Sequence, residues 1–219
     1  MTIQKRLVFI FLCVISLSIH ALESQEINIE KGEGYETIDP PQPTDDPGKV
    51  EVIEFFWYGC PHCYRFEPIL QKWLKTRPDY VNYIPQPTAF NATWAKHARA
   101  YYTAEALGVI DKMHEDFFTA IQIDKKRLDK EDVLADFFAA HGVKKEDFTN
   151  TYSSFLVEAK TRQAEAAPGR YGVTGVPAVV INGKYRVSGT TAKNYDNMIK
   201  VMDYLIAKEH AALTKTTVK

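Results

Sequence analysis

The sequence predicts an α/β domain interrupted by a helical block, and three observations predict it. Val50–Trp57, Pro61–Thr76 and Tyr80–Ile84 read as strand, helix, strand. Residues 91–167 show helical spacing throughout. After Pro168-Gly169 strand character returns, and one amphipathic helix follows it.

The chain opens with Lys5-Arg6, the apolar run Leu7–Leu17 and then Ser18 to Ala21. A basic start followed by a short apolar run is a secretory signal, with cleavage expected after Ala21. The run is too short for a stable membrane anchor. Its removal also removes Cys13, leaving Cys60 and Cys63 as the only cysteines of the mature chain. Two of the 27 Lys and Arg residues lie in the leader; set against 28 Asp and Glu, the mature chain carries a net charge of −3. That balance shows no nucleic-acid footprint.

Residues 22–49 are polar and end proline-rich, with Gly32-Glu33-Gly34 as a turn and Tyr35–Ile38 as a short edge strand. The strand Val50–Trp57 leads to the helix from Pro61 to about Thr76, where Pro68 predicts a kink. Tyr80–Ile84 follows and is expected to stop at Pro85 and Pro87. In the helical block Asn91 is a cap before Trp94, Ala98, Tyr101, Tyr102 and Ala106. Met113, Phe117, Phe118 and Ile121 mark a second helix. A third runs from near Asp129 to Gly142, and the last from Lys145 to about Ala167. These aromatics at helical spacing read as core. Ala178–Ile181 and Lys184–Val187 form a hairpin around Asn182-Gly183. A helix near Tyr195–Lys208 presents Met198, Val201, Met202 and Leu205, and residues 211–219 read as a loose tail.

The chemistry sits at Cys60-Pro61-His62-Cys63. Cys60 falls between strand and helix, where unpaired N–H groups and the positive end of the helix dipole stabilise a thiolate. Pro61 suits the first helical turn, which needs no donor from it. Cys63, almost one turn later, shares the face of Cys60 and is within reach of a disulfide. His62 is placed to favour the Cys60 anion through its ring or its N–H. His97, His114, His141 and His210 have no partners at ligand spacing. A structural zinc site wants four ligands, and one Cys-x-x-Cys pair supplies two. Two cysteines are too few for a disulfide scaffold and suffice for one redox pair.

Two stretches, EFFWYGCPHCYRFEP at 54–68 and YGVTGVPAVVINGKYRVSG at 171–189, flank the helical block. In that order they resemble the thioredoxin fold, and with the insert and the Cys-Pro-His-Cys run they resemble the DsbA-type thiol:disulfide oxidases. The resemblance covers nearly the whole mature chain. It implies residues 22–90 and 168–210 as the thioredoxin-like domain and 91–167 as the insert. It implies Cys60 as nucleophile, Cys63 as resolving thiol, Pro177 as a cis-proline facing them, and a Val176 backbone free to pair with extended substrate. Glu54 resembles the buried acid of the family; the lysine often opposite it has no counterpart in Val81–Pro87. The implied function is insertion of disulfides into exported proteins without a cofactor, followed by reoxidation through a membrane quinone-linked, DsbB-like partner. A reductase or isomerase of the same fold, or a zinc-binding or chaperone-like module, is the alternative.

Overall fold

The computed structural model describes residues 27–29 and 33–217, so the leader expected at 1–21 lies outside the described residues. Five strands form one sheet in the order β1-β5-β4-β2-β3. β2 (Val50–Phe56) lies inside it, parallel to β3 (Val81–Pro87) and antiparallel to β4 (Ala178–Ile181). β4 pairs with β5 (Tyr185–Ser188), and β5 with the two-residue β1 (Glu36–Thr37). Every residue of β2 is buried, as befits a strand covered on both faces.

β3 does not stop at its prolines. It is an edge strand, and Thr88 N–H donates to Phe56 O at 2.8 Å. Alternation along the strand therefore turns the nitrogens of Pro87 and Pro85 away from β2, where no ladder donor is needed.

The hairpin turn has Asn182 and Gly183 at φ 51° and 63°, the mirror-image geometry that Asn-Gly favours. A Cβ on Gly183 would stand 2.1 Å from the Gln42 carbonyl oxygen, so this position excludes other residues on contact as well as on conformation.

α1 (Pro61–Leu74) contains Pro68 and buries Cys63, Phe66, Glu67, Leu70 and Trp73. The insert holds α2 (Ala92–Ala106), α3 (Ile110–Gln122), α4 (Glu131–Ala140), α5 (Lys145–Tyr152) and α6 (Phe155–Arg170). Asn91 caps α2 through two backbone N–H groups, as its sequence predicts. The stretch expected as one helix from Lys145 is two. Ser154 accepts the Val157 N–H and starts a new helix, which runs past Ala167 through the buried Pro168 to Arg170.

α7 (Gly189–Ala192) is a single turn closed by a reciprocal Ser188–Thr191 cap, unforeseen from sequence. α8 (Tyr195–Thr217) outlasts its predicted end, and residues 211–217 are helical, not a loose tail. Glu209 explains the continuation. It accepts Asn182 Nδ2 at 2.7 Å and Lys184 Nζ at 2.6 Å, tying the hairpin to the helix. Leu213 packs against the core one turn further on.

One sheet face packs Val52, Val179 and Ile181 against Phe66, Leu70, Met198, Val201 and Leu205 of α1 and α8. The other packs Phe55 and Val180 against Ala167 and Tyr171. Phe56, Tyr58, Cys60 and Cys63 belong to a third cluster with the aromatics of the insert. The dithiol therefore sits where sheet and insert meet.

Candidate active site

Cys60 is the N-cap of α1, with an extended backbone (φ −87°, ψ 116°) and Pro61 in the first turn. The geometry aims the helix's free donors at sulfur: Cys63 N–H points at Cys60 Sγ at 3.4 Å. Both thiols are free and buried, Cys60 at 7% and Cys63 at 1% exposure. Their acidities part company. The Cys60 thiol is lowered to about 6, chiefly by the hydrogen bond from the Cys63 side chain, against an opposing effect of burial; the backbone N–H groups of Cys63 and His62 and the charge of His62 add to the lowering. The Cys63 thiol is pushed well up, first by burial and then by its bond to Cys60.

The Val176–Pro177 bond is cis. The Val176 carbonyl accepts Cys60 Sγ–H at 3.4 Å, which places the sequence-predicted Val176 and Pro177 beside the reactive sulfur. His62 is there too, although its ring is engaged elsewhere. Nδ1 accepts from Arg65 Nη2 at 2.9 Å and lies 3.2 Å from the Tyr195 hydroxyl. The backbone of α1 thus does more for the Cys60 anion than the imidazole does.

Glu54 is 1% exposed and lies between Pro85 of β3 and Val179 of β4 in register. Its partner on β3 is Tyr83, whose phenol donates to Glu54 Oε2. A phenol supplies a donor without charge, so burial dominates and raises the Glu54 carboxyl to about 8, with Glu67 adding to the rise and Tyr83 opposing it.

Three members of this cluster escape the sequence reading: Tyr83, Glu67 and His114. Glu67 lies one turn beyond Cys63 on the buried face of α1, accepts Gln71 Nε2 at 2.7 Å and stands 3.5 Å from His114 Nε2. His114 Nδ1 in turn shares a hydrogen bond of 2.8 Å with Tyr58. The i, i+4 spacing of Cys63 and Glu67 was the available signal for Glu67. Nothing local in the sequence relates His114 to Glu67. Among the described residues no three His, Cys, Asp or Glu side chains converge as a metal site.

The insert also holds the loop before Cys60. Trp57 stacks on Trp94 at 4.1 Å and donates Nε1–H to His97 Nδ1 at 2.9 Å. Burial lowers His97 to about 4, which keeps it a neutral acceptor. The Trp57 ring lies 2.2 Å from where a Cβ on Gly59 would be, so only glycine fits under it.

A family profile described as a DSBA-like thioredoxin domain matches residues 84–200. The thiol:disulfide interchange protein DsbA of Pseudomonas syringae pv. tomato is 40% identical over 200 residues, 91% of this chain and 94% of that protein. The crystal structure of Pseudomonas aeruginosa DsbA superposes with a TM-score of 0.79 at 41% identity, covering 84% of this chain and 95% of that one. DsbA from Xylella fastidiosa gives 0.76 at 34% identity, over 82% and 97%. The profile spans more than half of the chain and the Pseudomonas syringae relative matches it over nearly the full length, and the chain belongs to the DsbA-like thioredoxin family.

Proposed function

We propose that this thiol:disulfide oxidoreductase works as an oxidase, passing the Cys60–Cys63 disulfide to reduced proteins outside the cytoplasm. A substrate thiolate attacks Cys60 Sγ; the Cys60–Cys63 bond breaks, and its electron pair leaves on Cys63. Cys63 takes a proton from the Glu54 carboxyl, which regains one from solvent. A second substrate thiolate attacks the substrate sulfur of the mixed disulfide, completing the substrate's disulfide and expelling Cys60 as thiolate. Two electrons have then moved to the enzyme; of the two substrate thiol protons, one resides on Cys63 and one is in solvent.

The observation that carries this reading is the opposite acidity of two thiols one helical turn apart. The acidic Cys60 is the better leaving group, and the buried Cys63 keeps its proton. Val176 gives extended substrate a backbone partner, Pro177 follows it through a cis bond, and the α1 N-terminus with His62 helps hold the anion. Export is supported by the secretory leader expected at residues 1–21. Among the described residues no helix is long and apolar enough to cross a membrane. A quinone-linked membrane partner, by analogy with the family, takes the two electrons back.

Trapping tests the roles. Cys63→Ser should accumulate mixed disulfides through Cys60 in an oxidising compartment, and Cys60→Ser should not. Non-reducing electrophoresis with mass spectrometry of the adducts reads the result; adducts on Cys60→Ser alone reverse the roles, and none on either rules out exchange with protein thiols.

A further inference from the structure

Beside Cys60, a cleft of about 780 Å³ runs from His62 and Arg65 on α1 past Val176 and Pro177 to Arg186 on β5 and Lys193 after α7. Three of its side chains are permanent cations. Arg186 is compensated: it binds Glu36 Oε2 at 2.8 Å and the Tyr171 carbonyl. The other two are not. Arg65 gives a hydrogen bond to the His62 ring and meets no carboxylate, and Lys193 meets none either, among the described residues. The mature chain is net negative, so an uncompensated positive cleft at the reactive sulfur runs against the rest of the molecule.

We propose that this cleft makes the enzyme selective for reduced segments that carry an acidic side chain near the cysteine. The proposal rests on the disulfide-exchange reading above and names the substrate class of that same site. Its geometry comes from the extended peptide that Val176 would pair. Side chains two apart on a strand point the same way, so the residues two before and two after the cysteine face the enzyme when the cysteine faces Cys60. An Asp or Glu there enters the field of Arg65 and Lys193, whereas a Lys there is repelled. Because both cations border solvent, the selectivity should be modest and screened by salt.

The test uses the oxidised mature protein and three cysteine peptides identical except for Asp, Asn or Lys two residues either side of the cysteine. An acidic neighbour also changes the peptide's own thiol reactivity. Each rate constant is therefore divided by that of the same peptide with hydroxyethyl disulfide, a neutral reagent. The normalised rates should fall in the order Asp, Asn, Lys, spanning about fivefold at low salt and converging toward 1 M salt. Lys193→Glu, and separately Arg65→Glu, should shrink the span or reverse it. Equal normalised rates with the unaltered protein would overturn the charge selectivity while leaving disulfide exchange in place. A span that both variants leave unchanged would overturn its assignment to this cleft. Failure to exchange with any peptide would overturn the functional reading, and the selectivity with it.

Discussion

Glu54 is a carboxyl in the interior with a phenol for a partner, and the absence of a cation fixes how it responds to pH. Its folded-state value is raised, so protonation favours the fold. The stability it supports is full below its unfolded value near 4.3 and is lost as pH rises toward about 8. Glu54→Gln, measured in the oxidised form so that no thiol titrates, should gain on the unaltered protein by on the order of 1–3 kcal/mol between pH 5 and pH 8. Denaturant midpoints across that range decide it; a gain that shrinks with rising pH would mean that Glu54 is ionised in the fold. Cys60, His62, Cys63, Val176 and Pro177 were legible because each lies in one of two short stretches of recognisable character. Tyr83, Glu67 and His114 were not, because their partnership exists only after β3, α1 and α3 have packed together.

At the scale of elements, α1 carries the chemistry, since the Cys63 thiol on its first turn, and after it the N–H groups of its N-terminus, lower Cys60. A thiol lowered to about 6 stabilises the reduced fold above that pH and stops doing so as pH falls through it. Against this, the Cys60–Cys63 crosslink closes a short loop worth about 2 kcal/mol of chain entropy. The stability of the reduced form minus that of the oxidised form should therefore rise by about 1 kcal/mol per pH unit from pH 6 to 8, with the reduced form overtaking between about pH 7 and 8. Paired unfolding curves at four pH values measure it, and a flat or falling difference would remove the thiolate from the account. Most elements were readable from period and caps: the buried strand Val50–Phe56, the Asn91 cap and the Asn-Gly hairpin all fold as their residues prefer. The misreadings have one cause, which is tertiary context. Pro85 and Pro87 are harmless on an edge, Ser154 restarts a helix that hydrophobic spacing alone joins, and Glu209 extends α8 by binding the hairpin.

In the whole molecule, Cys60 and Cys63 share one buried cluster with the aromatics of the insert. Trp57 binds His97, Tyr58 binds His114, and Gln122 Nε2 donates to the Tyr58 carbonyl at 2.8 Å, so three contacts from α2 and α3 hold the residues leading into Cys60. Burial of Cys63 beneath this contact and exposure of the α1 N-terminus to Cys60 together favour the reduced state, with one thiolate and one thiol. Each 1.4 kcal/mol of that preference makes the disulfide about 30 mV more oxidising. The central claim is that this protein gives its disulfide away. Equilibration of the mature protein with glutathione buffers at pH 7, with the oxidised fraction read by thiol alkylation, tests it most directly. A potential more positive than about −180 mV, the value of a disulfide isomerase, is the predicted result; a potential near −270 mV, that of a thioredoxin-type reductant, would contradict the account.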